Sequence, residues 1–460
     1  MTEKTTDLVI LGGGSAGYSC ALRAAQLGLS VVLVEKDRLG GTCLHNGCIP
    51  TKALLHAAEV ADTARDGAEI GVLTRMDGID MTAVHSYKTN IVDKLYKGLR
   101  GLVASRQIDL VEGVGRFVGP RSVEVADTRY TGRAVVLATG SYAKTLPGLE
   151  IGGRIVTSNR ALELDAVPRH AIVLGGGVIG VEFASLWRSF GAEVTLVEAA
   201  DRLLPGEDPS MSKALERAFR KRGITVRTGV GLRDAAQTAD AVVAGLDSDE
   251  RIEADVLLVA VGRGPNTTGH GFEEAGIALD RGWVRTDEQL RTTIDEVYAV
   301  GDIVAGPQLA HRGFQHGIFV AEQIAGLAPH PISDSGIPRV IYSTPEIASV
   351  GLTEAAAREI HGEISTVTYD LAGNGKSQIL GTAGAVKLIK AAPAEQEGPV
   401  VGIHLIGARV GELIGEAQLI YNWQAEPADV TPFLHAHPSQ NEALGEAFLA
   451  LAGKPLHTHG

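Results

Sequence analysis

Cys43 and Cys48 stand five positions apart, enclose Leu44-His45-Asn46-Gly47, and lead into Ile49-Pro50-Thr51-Lys52. Two thiols at that spacing can close a short disulfide loop. In a reducing compartment such a pair is more often catalytic than structural. Pro50 suits the first turn of a helix. Cys48 then lies at a helix N-terminus, where free N–H groups and the helix dipole favour a thiolate. Lys52, one turn further, faces the same side and can stabilise negative charge on a bound cofactor. A metal pair and two inert thiols are the competing readings. No second CxxC and no adjacent Cys/His set completes a zinc site, so no metal is expected. Cys20 falls in an apolar helical stretch and reads as a small core residue. A second constellation is His435-Ala436-His437-Pro438-Ser439-Gln440-Asn441-Glu442. A carboxylate five residues after His437 can fix the imidazole tautomer and raise its basicity, which makes an acid/base pair. A plain polar loop is the alternative. His457 and His459 lie in a polar tail and carry no signature.

The elements that must position these residues read as two copies of one unit. Leu8–Leu11 is a short apolar run, followed at once by Gly12-Gly13-Gly14-Ser15-Ala16-Gly17. Tyr18–Leu27 has helical spacing and ends at Gly28, and Ser30–Val34 is a second apolar run that ends in Glu35. The pattern recurs 163 positions on (12 to 175): Ala171–Leu174, then Gly175-Gly176-Gly177-Val178-Ile179-Gly180, a helix over Val181–Phe190, Gly191, and Glu193–Val197 ending in Glu198. Each acid lies 18 positions after its third glycine (17 to 35 and 180 to 198). This is the strand–turn–helix fingerprint of dinucleotide binding. The first glycine permits the turn, the second admits the pyrophosphate, the third lets helix and strand pack, and the acid receives ribose hydroxyls. The helix N-terminus offers N–H groups to phosphate. Apolar strands ending at Thr139-Gly140-Ser141, Gly262-Arg263 and Gly301-Asp302 present further ligand-facing ends. From about Ile337 strand-like and helical pieces alternate without a nucleotide signature, as in a separate α+β domain.

The chain has 460 residues, 57 glycines and three cysteines, and 42 basic against 55 acidic residues give a net charge of −13. The length accommodates about three domains. A 45% hydrophobic and 21% charged composition excludes a disordered chain. The negative field argues against nucleic acid. Met1 to Asp7 is polar, with no apolar leader core, and no apolar run approaches membrane-spanning length. A cytoplasmic protein without a membrane partner is expected.

Gly40-Gly41-Thr42-Cys43-Leu44-His45-Asn46-Gly47-Cys48-Ile49-Pro50-Thr51-Lys52 resembles the redox motif of the pyridine nucleotide–disulfide oxidoreductase family, most closely its dihydrolipoamide dehydrogenase branch. Ala138-Thr139-Gly140-Ser141, Val261-Gly262-Arg263-Gly264-Pro265-Asn266-Thr267 and Ala299-Val300-Gly301-Asp302 extend the likeness over essentially the whole chain. The resemblance implies an α/β fold with two Rossmann-like domains, one for FAD and one for NAD, plus a C-terminal α+β dimerisation domain. The implied division is 1–149 for FAD, 150–272 for NAD, 273–336 for the remainder of the FAD and central part, and 337–460 for dimerisation.

By the same resemblance Cys43 is the interchange thiol and Cys48 the charge-transfer thiol beside the flavin. Lys52 sits by the flavin and pairs with Glu182. Gly12, Gly14, Gly17, Glu35, Gly41, Thr42, Gly115, Thr139, Gly140, Ser141 and Asp302 belong to the FAD site, with Leu309, Ala310 and His311 at its ring edge. Gly175, Gly177, Val178, Ile179, Gly180, Glu198, Val230 and Gly262 belong to the NAD site. His437, oriented by Glu442, exchanges protons with the dithiol across a homodimer. The implied reaction is NAD-dependent oxidation of dihydrolipoamide on a lipoylated acyltransferase or carrier protein of a 2-oxoacid dehydrogenase or glycine cleavage system.

The chain departs from the branch at His45-Asn46, where Asn-Val is usual, and at Ser439-Gln440-Asn441 after His437-Pro438. NAD is expected over NADP because Ala199 and Pro205 stand where NADP-preferring relatives carry arginines, and Glu198 repels a 2′-phosphate. Arg202 is the nearby cation that counts against it. The alternatives are a reductase of a glutathione- or mycothiol-type disulfide, and a mainly docking or scaffold subunit. A mercuric-ion reductase is disfavoured because all three cysteines precede residue 49.

Overall fold

The first glycine turn exists because β1 (Thr2–Leu11) must hand over to α1 (Ser15–Gln26) within three residues. Gly12 takes φ +109°, and a Cβ there would lie 2.2 Å from the Ala138 carbonyl oxygen. A Cβ on Gly17 would lie 1.8 Å from the Gly12 oxygen, so only glycine lets α1 settle against the turn. β2 (Val31–Glu35) runs parallel to β1, with Leu8 opposite Val31 and Leu11 opposite Val34. Leu8–Leu11 and Val31–Val34 are all buried, as expected for parallel strands covered on both faces. The structure, a computed structural model, describes residues 1–457.

The sheet register assembles the ligand-facing ends. Strand Thr128–Leu137 lies parallel to β1 with Leu137 opposite Leu11, which brings Thr139-Gly140-Ser141 beside the first glycine turn. The chain returns to the same sheet at Val297–Ala299, with Ala299 opposite Leu137, so Gly301-Asp302 emerges next to Gly140-Ser141. The helix Ala310–Ile324 then packs on α1, and a Cβ on Gly317 would meet the Ala16 oxygen at 2.3 Å.

The second unit repeats the scheme in a five-stranded sheet ordered Ile224–Thr228, Glu193–Glu198, His170–Leu174, Val256–Val259, Ile155–Thr157. Val259 lies opposite Leu174, which sets Val261-Gly262 beside Gly175. The C-terminal part is a five-stranded sheet ordered Arg339–Ile341, Glu346–Gly351, Val400–Gly407, Ala385–Lys390, Ser365–Asp370, with antiparallel neighbours throughout. The helices Val410–Asn422 and Glu442–Leu451 cover it. Among the described residues no helix is long and apolar enough to cross a membrane.

Some elements differ from the sequence reading. β1 begins at Thr2, because the polar start pairs with Thr128 onward instead of forming a loop. α1 begins at Ser15, directly after the turn. The stretch between the cysteines is a short helix, α2 (Gly41–Asn46), abutting α3 (Cys48–Asp66), and not an open loop. A long helix, α4 (Met81–Ser105), follows. Only Lys88, Val92 and Val103 on it are buried, so its apolar stripe is too thin to announce it.

Candidate active site

One cavity of about 1230 Å³ touches both glycine turns and both cysteines. Gly14, Thr42, Cys43, Cys48, Lys52, Gly140, Ser141 and Asp302 line one part of it. Gly175, Gly177, Val178, Ile179, Glu198 and Gly262 line another, and Glu182 also lines the cavity. Leu309, Ala310 and His311 also face it. Gly12, Gly17, Gly180, Glu35, Gly41, Gly115, Thr139 and Val230 are not in its wall. Gly41 approaches Gly14 so closely that a Cβ would lie 2.8 Å from the Gly14 Cα. Gly115 makes room for Leu11 and Val34. The Thr139 hydroxyl donates to the Asn266 carbonyl at 2.6 Å, and Val230 N–H donates to the Glu198 carbonyl at 3.1 Å.

Cys43 is half-buried on α2 and Cys48 opens α3, exposed to the cavity; the two are unlinked thiols here. They share a hydrogen bond that splits their acidities. Cys48 is pulled below the ordinary cysteine value, first by the bond from Cys43 and then by the Lys52 charge, against the opposing effects of burial and Glu182. Cys43 is pushed up by that same bond and by burial. Of the two, Cys48 is the more acidic thiol. The apolar Cys20 reading agrees with its complete burial in α1, where the thiol is pushed up to about 12 by desolvation.

Lys52 Nζ lies 2.9 Å from both carboxylate oxygens of Glu182, whose side chain is only 4% exposed. Burial works against the Lys52 charge, but Glu182, with Cys48 and Tyr342, raises the ammonium's pKa on balance. Tyr342 completes this group. Its backbone N–H donates to Glu182 Oε1 at 3.0 Å, and its ring centroid lies 4.7 Å from Lys52 Nζ. The sequence reading missed Tyr342, since nothing local in Arg339–Tyr342 marks a ligand-facing position. Arg263 lies at the ligand-facing strand end expected from the sequence and lines the cavity. Its Nε donates to Ser141 Oγ at 2.8 Å, and Ser141 Oγ donates to Asp302 Oδ2 at 2.5 Å.

The two glycine turns carry matching acids. Glu35 Oε2 accepts from Gly13 N–H at 2.7 Å and Glu198 Oε2 from Gly176 N–H at 2.6 Å. Their other oxygens accept from Asp37 N–H and Ala200 N–H. Gly14 and Gly177 are the α-helix N-caps, and a Cβ on either would meet no protein atom within 4 Å. Each turn thus leaves open space at a helix N-terminus, of the kind a pyrophosphate fills. The residues present fit two dinucleotides.

His437 Nδ1 lies 2.8 Å from Glu442 Oε1, while Glu442 Oε2 accepts from Ser439 N–H at 2.8 Å. The His437 side chain is 80% exposed and does not face the cavity of its own chain. Beside it stands a second pair. His435 Nε2 lies 2.8 Å from Glu416 Oε1, and Asn441 donates to Glu416 Oε2 at 2.8 Å. His457 pairs with Glu446 at 2.8 Å, and His459 lies outside the described residues. Among the described residues no group of three or more His, Cys, Asp or Glu could hold a metal.

Fold and site together define a two-dinucleotide disulfide oxidoreductase. Residues 6–317 match the family model for pyridine nucleotide-disulphide oxidoreductases, and residues 337–448 match the dimerisation domain of the same family. The chain belongs to that family. Within it, the chain is 40% identical to a dihydrolipoyl dehydrogenase of Bacillus subtilis, covering 98% of this chain and 99% of the relative. It is 36% identical to the mitochondrial dihydrolipoyl dehydrogenase of Pisum sativum, covering 98% and 92%. Among solved structures it is similar to LpdA of Mycobacterium tuberculosis, with a TM-score of 0.89 at 26% identity over 98% of this chain and all of the other. It is also similar to RclA of Escherichia coli, an HOCl-induced flavoprotein disulfide reductase, with a TM-score of 0.85 at 28% identity over 96% and 99%.

Proposed function

We propose that the protein oxidises protein-bound dihydrolipoamide to lipoamide with NAD⁺, through FAD and a Cys43–Cys48 disulfide. The observation that carries this reading is a pair of cysteines that lines the same cavity as the two dinucleotide turns. The full-length likeness to dihydrolipoyl dehydrogenases supports the substrate. Gly12, Gly14, Gly17, Glu35, Gly41, Thr42, Gly115, Thr139, Gly140, Ser141 and Asp302 would hold FAD, with residues 309–311 at its edge. Gly175 to Gly180, Glu198, Val230 and Gly262 would hold NAD. When bound, the flavin supplies the link between thiol electron pairs and nicotinamide hydride.

His437, oriented by Glu442, takes the proton from the first substrate thiol. The resulting thiolate attacks the Cys43 sulfur, and Cys48 leaves as thiolate. A low leaving-group pKa speeds such exchange, and Cys48 has the lowered value of the pair. The second substrate thiol attacks the mixed disulfide, releases Cys43 as thiol, and closes the lipoyl ring. Lys52 neutralises the charge left on Cys48, and Glu182 holds Lys52 in place. Because His437 points away from its own cavity, the site is completed by a second copy through the dimerisation domain. The division at 149/150, 272/273 and 336/337 and a cytoplasmic location complete the proposal, with a lipoylated acyltransferase or carrier protein as partner.

The test compares purified protein in NADH oxidation with lipoamide, glutathione disulfide and mycothione. Lipoamide turnover at least tenfold above the others is expected. Equal or lower turnover refutes the substrate assignment in favour of another small disulfide.

A further inference from the structure

His45 lies between the two cysteines on α2, and none of the roles proposed above uses it. Its Nε2 is 2.9 Å from the Leu39 carbonyl. A carbonyl only accepts, so Nε2 carries the hydrogen. Nδ1 is buried without a partner, which favours the neutral ring. Burial first, and the Arg38 charge second, hold the imidazole below its ordinary pKa, against the Leu39 carbonyl, Asp37 and Asp93. The ring sits edge-on to Tyr96 of α4, centroids 5.2 Å apart. Arg38 covers the Tyr96 ring at 4.5 Å and Arg100 approaches it at 5.8 Å.

Leu39 is a significant anchor. It is 2% exposed, and its side chain lies against Gly13, whose N–H is held by Glu35. Gly40 N–H also donates to the Gly13 carbonyl at 2.8 Å. From Leu39 the backbone enters α2 through Gly40 and its first residue Gly41, at φ +106° and +60°. Gly41 N–H donates to the Arg38 carbonyl at 3.2 Å across that two-glycine hinge, and a second, side-chain tie would hold α2 in one orientation. We propose that His45 is that tie: a positioning residue whose Nε2–H bond to Leu39 closes the glycine hinge and presets Cys43 for disulfide formation with Cys48. The proposal rests on the redox reading of this pair.

The consequence concerns the thiol–disulfide equilibrium. The disulfide holds α2 in the orientation in which the His45 bond is made, whereas the dithiol also reaches orientations in which it is not, so loss of the bond costs the disulfide more than the dithiol. Removing it frees the dithiol and stabilises that form relative to the disulfide. One neutral hydrogen bond corresponds to a shift of roughly three- to tenfold, about 14 to 30 mV for a two-electron couple.

The experiment equilibrates the holoprotein anaerobically in mixtures of oxidised and reduced dithiothreitol, then alkylates and weighs the peptide containing Cys43 and Cys48. As the two thiols lose two protons and two electrons to form the disulfide, oxidised dithiothreitol gains them and opens to its dithiol. His45→Phe keeps a ring on Tyr96 without a donor and is expected to favour the dithiol three- to tenfold. His45→Asn, too short to reach Leu39, is expected to do the same and serves if the phenylalanine variant does not fold. His45→Gln restores a donor and is expected within twofold of the parent. A donor-less variant at the parent equilibrium overturns the proposal, as does a glutamine variant shifted as far as the others. If the parent forms no Cys43–Cys48 disulfide at any ratio, the redox reading itself fails.

Discussion

Replacing either member of the Lys52–Glu182 pair should move the Cys48 acidity, and in opposite directions. Lys52 lies four residues after Cys48 on α3, which sets the side chains roughly 6 Å apart. At an effective dielectric of about 20, a unit charge at that distance contributes about 2.8 kcal/mol, roughly two pKa units. Cys48 is exposed to the cavity, so solvent screening brings the expected change nearer one unit. Lys52→Met therefore raises the Cys48 pKa by about one unit. Glu182→Gln removes the charge that opposes the thiolate and leaves Lys52 unpaired, so the Cys48 pKa falls, by roughly half as much because Glu182 lies beyond Lys52. The assay is the pH dependence of iodoacetamide alkylation in the reduced holoprotein, with each cysteine followed by peptide mass. Lys52→Met also strands a buried carboxylate, with about 3–5 kcal/mol at stake, so thermal midpoints are measured alongside. Shifts in the same direction for both variants would show that the pair acts by holding structure and not by its field, and would refute the electrostatic argument.

The Cβ of Gly14→Val meets no protein atom within 4 Å, so the apoprotein should keep its thermal midpoint while flavin affinity falls by at least a hundredfold; Gly12→Val, whose Cβ faces the Ala138 oxygen, should lose both. Retained flavin in Gly14→Val, read from the visible absorbance of the purified protein, would remove the phosphate role of that turn. His437→Gln should lower dihydrolipoamide turnover by roughly 10²–10⁴-fold, and near-normal steady-state rates would exclude it from proton transfer. His435 is held above its ordinary pKa by Glu416. A raised histidine stabilises the fold fully below the unfolded value of about 6.5, and that stabilisation is lost as pH rises through the folded pKa. Glu416→Gln should therefore flatten the fall in thermal midpoint between about pH 6 and pH 9, and an unchanged profile would show that the bond does not contribute.

The site was legible where chemistry is local in sequence. The cysteine spacing, Pro50 and Lys52 lie within a dozen residues, and each glycine turn with its flanking strands and acid lies within about thirty. Both copies show the same hydrogen bond, in which the N–H of the residue after the first motif glycine donates to the acid, Gly13 to Glu35 and Gly176 to Glu198. Tyr342 was not legible, because it reaches Glu182 only through the packing of the C-terminal sheet on the helix Val178–Ser189. The neighbourhood of Ser141 and Asp302 depends on Leu137 pairing with Ala299 across more than 160 residues, and no local pattern encodes that register. Nor did the stretch between the cysteines reveal its helix. Six residues are too few to show a helical period, and α2 owes its shape to Gly40, buried Leu44 and the His45–Leu39 bond.

The glycine-rich composition follows from the same geometry. Wherever two backbones must approach around a ligand, the approach leaves no space for a Cβ: Gly12 on Ala138, Gly175 on Ala260, Gly41 on Gly14, Gly317 on Ala16. Gly14 and Gly177 are different, since they face open space and not protein. The first set fixes where the strands, helices and redox helix sit relative to one another. The second set leaves open space at the helix N-termini that line the cavity. A glycine count cannot separate the two, but the atoms each missing Cβ would meet can, and that separation is why Gly14→Val and Gly12→Val should fail in different ways.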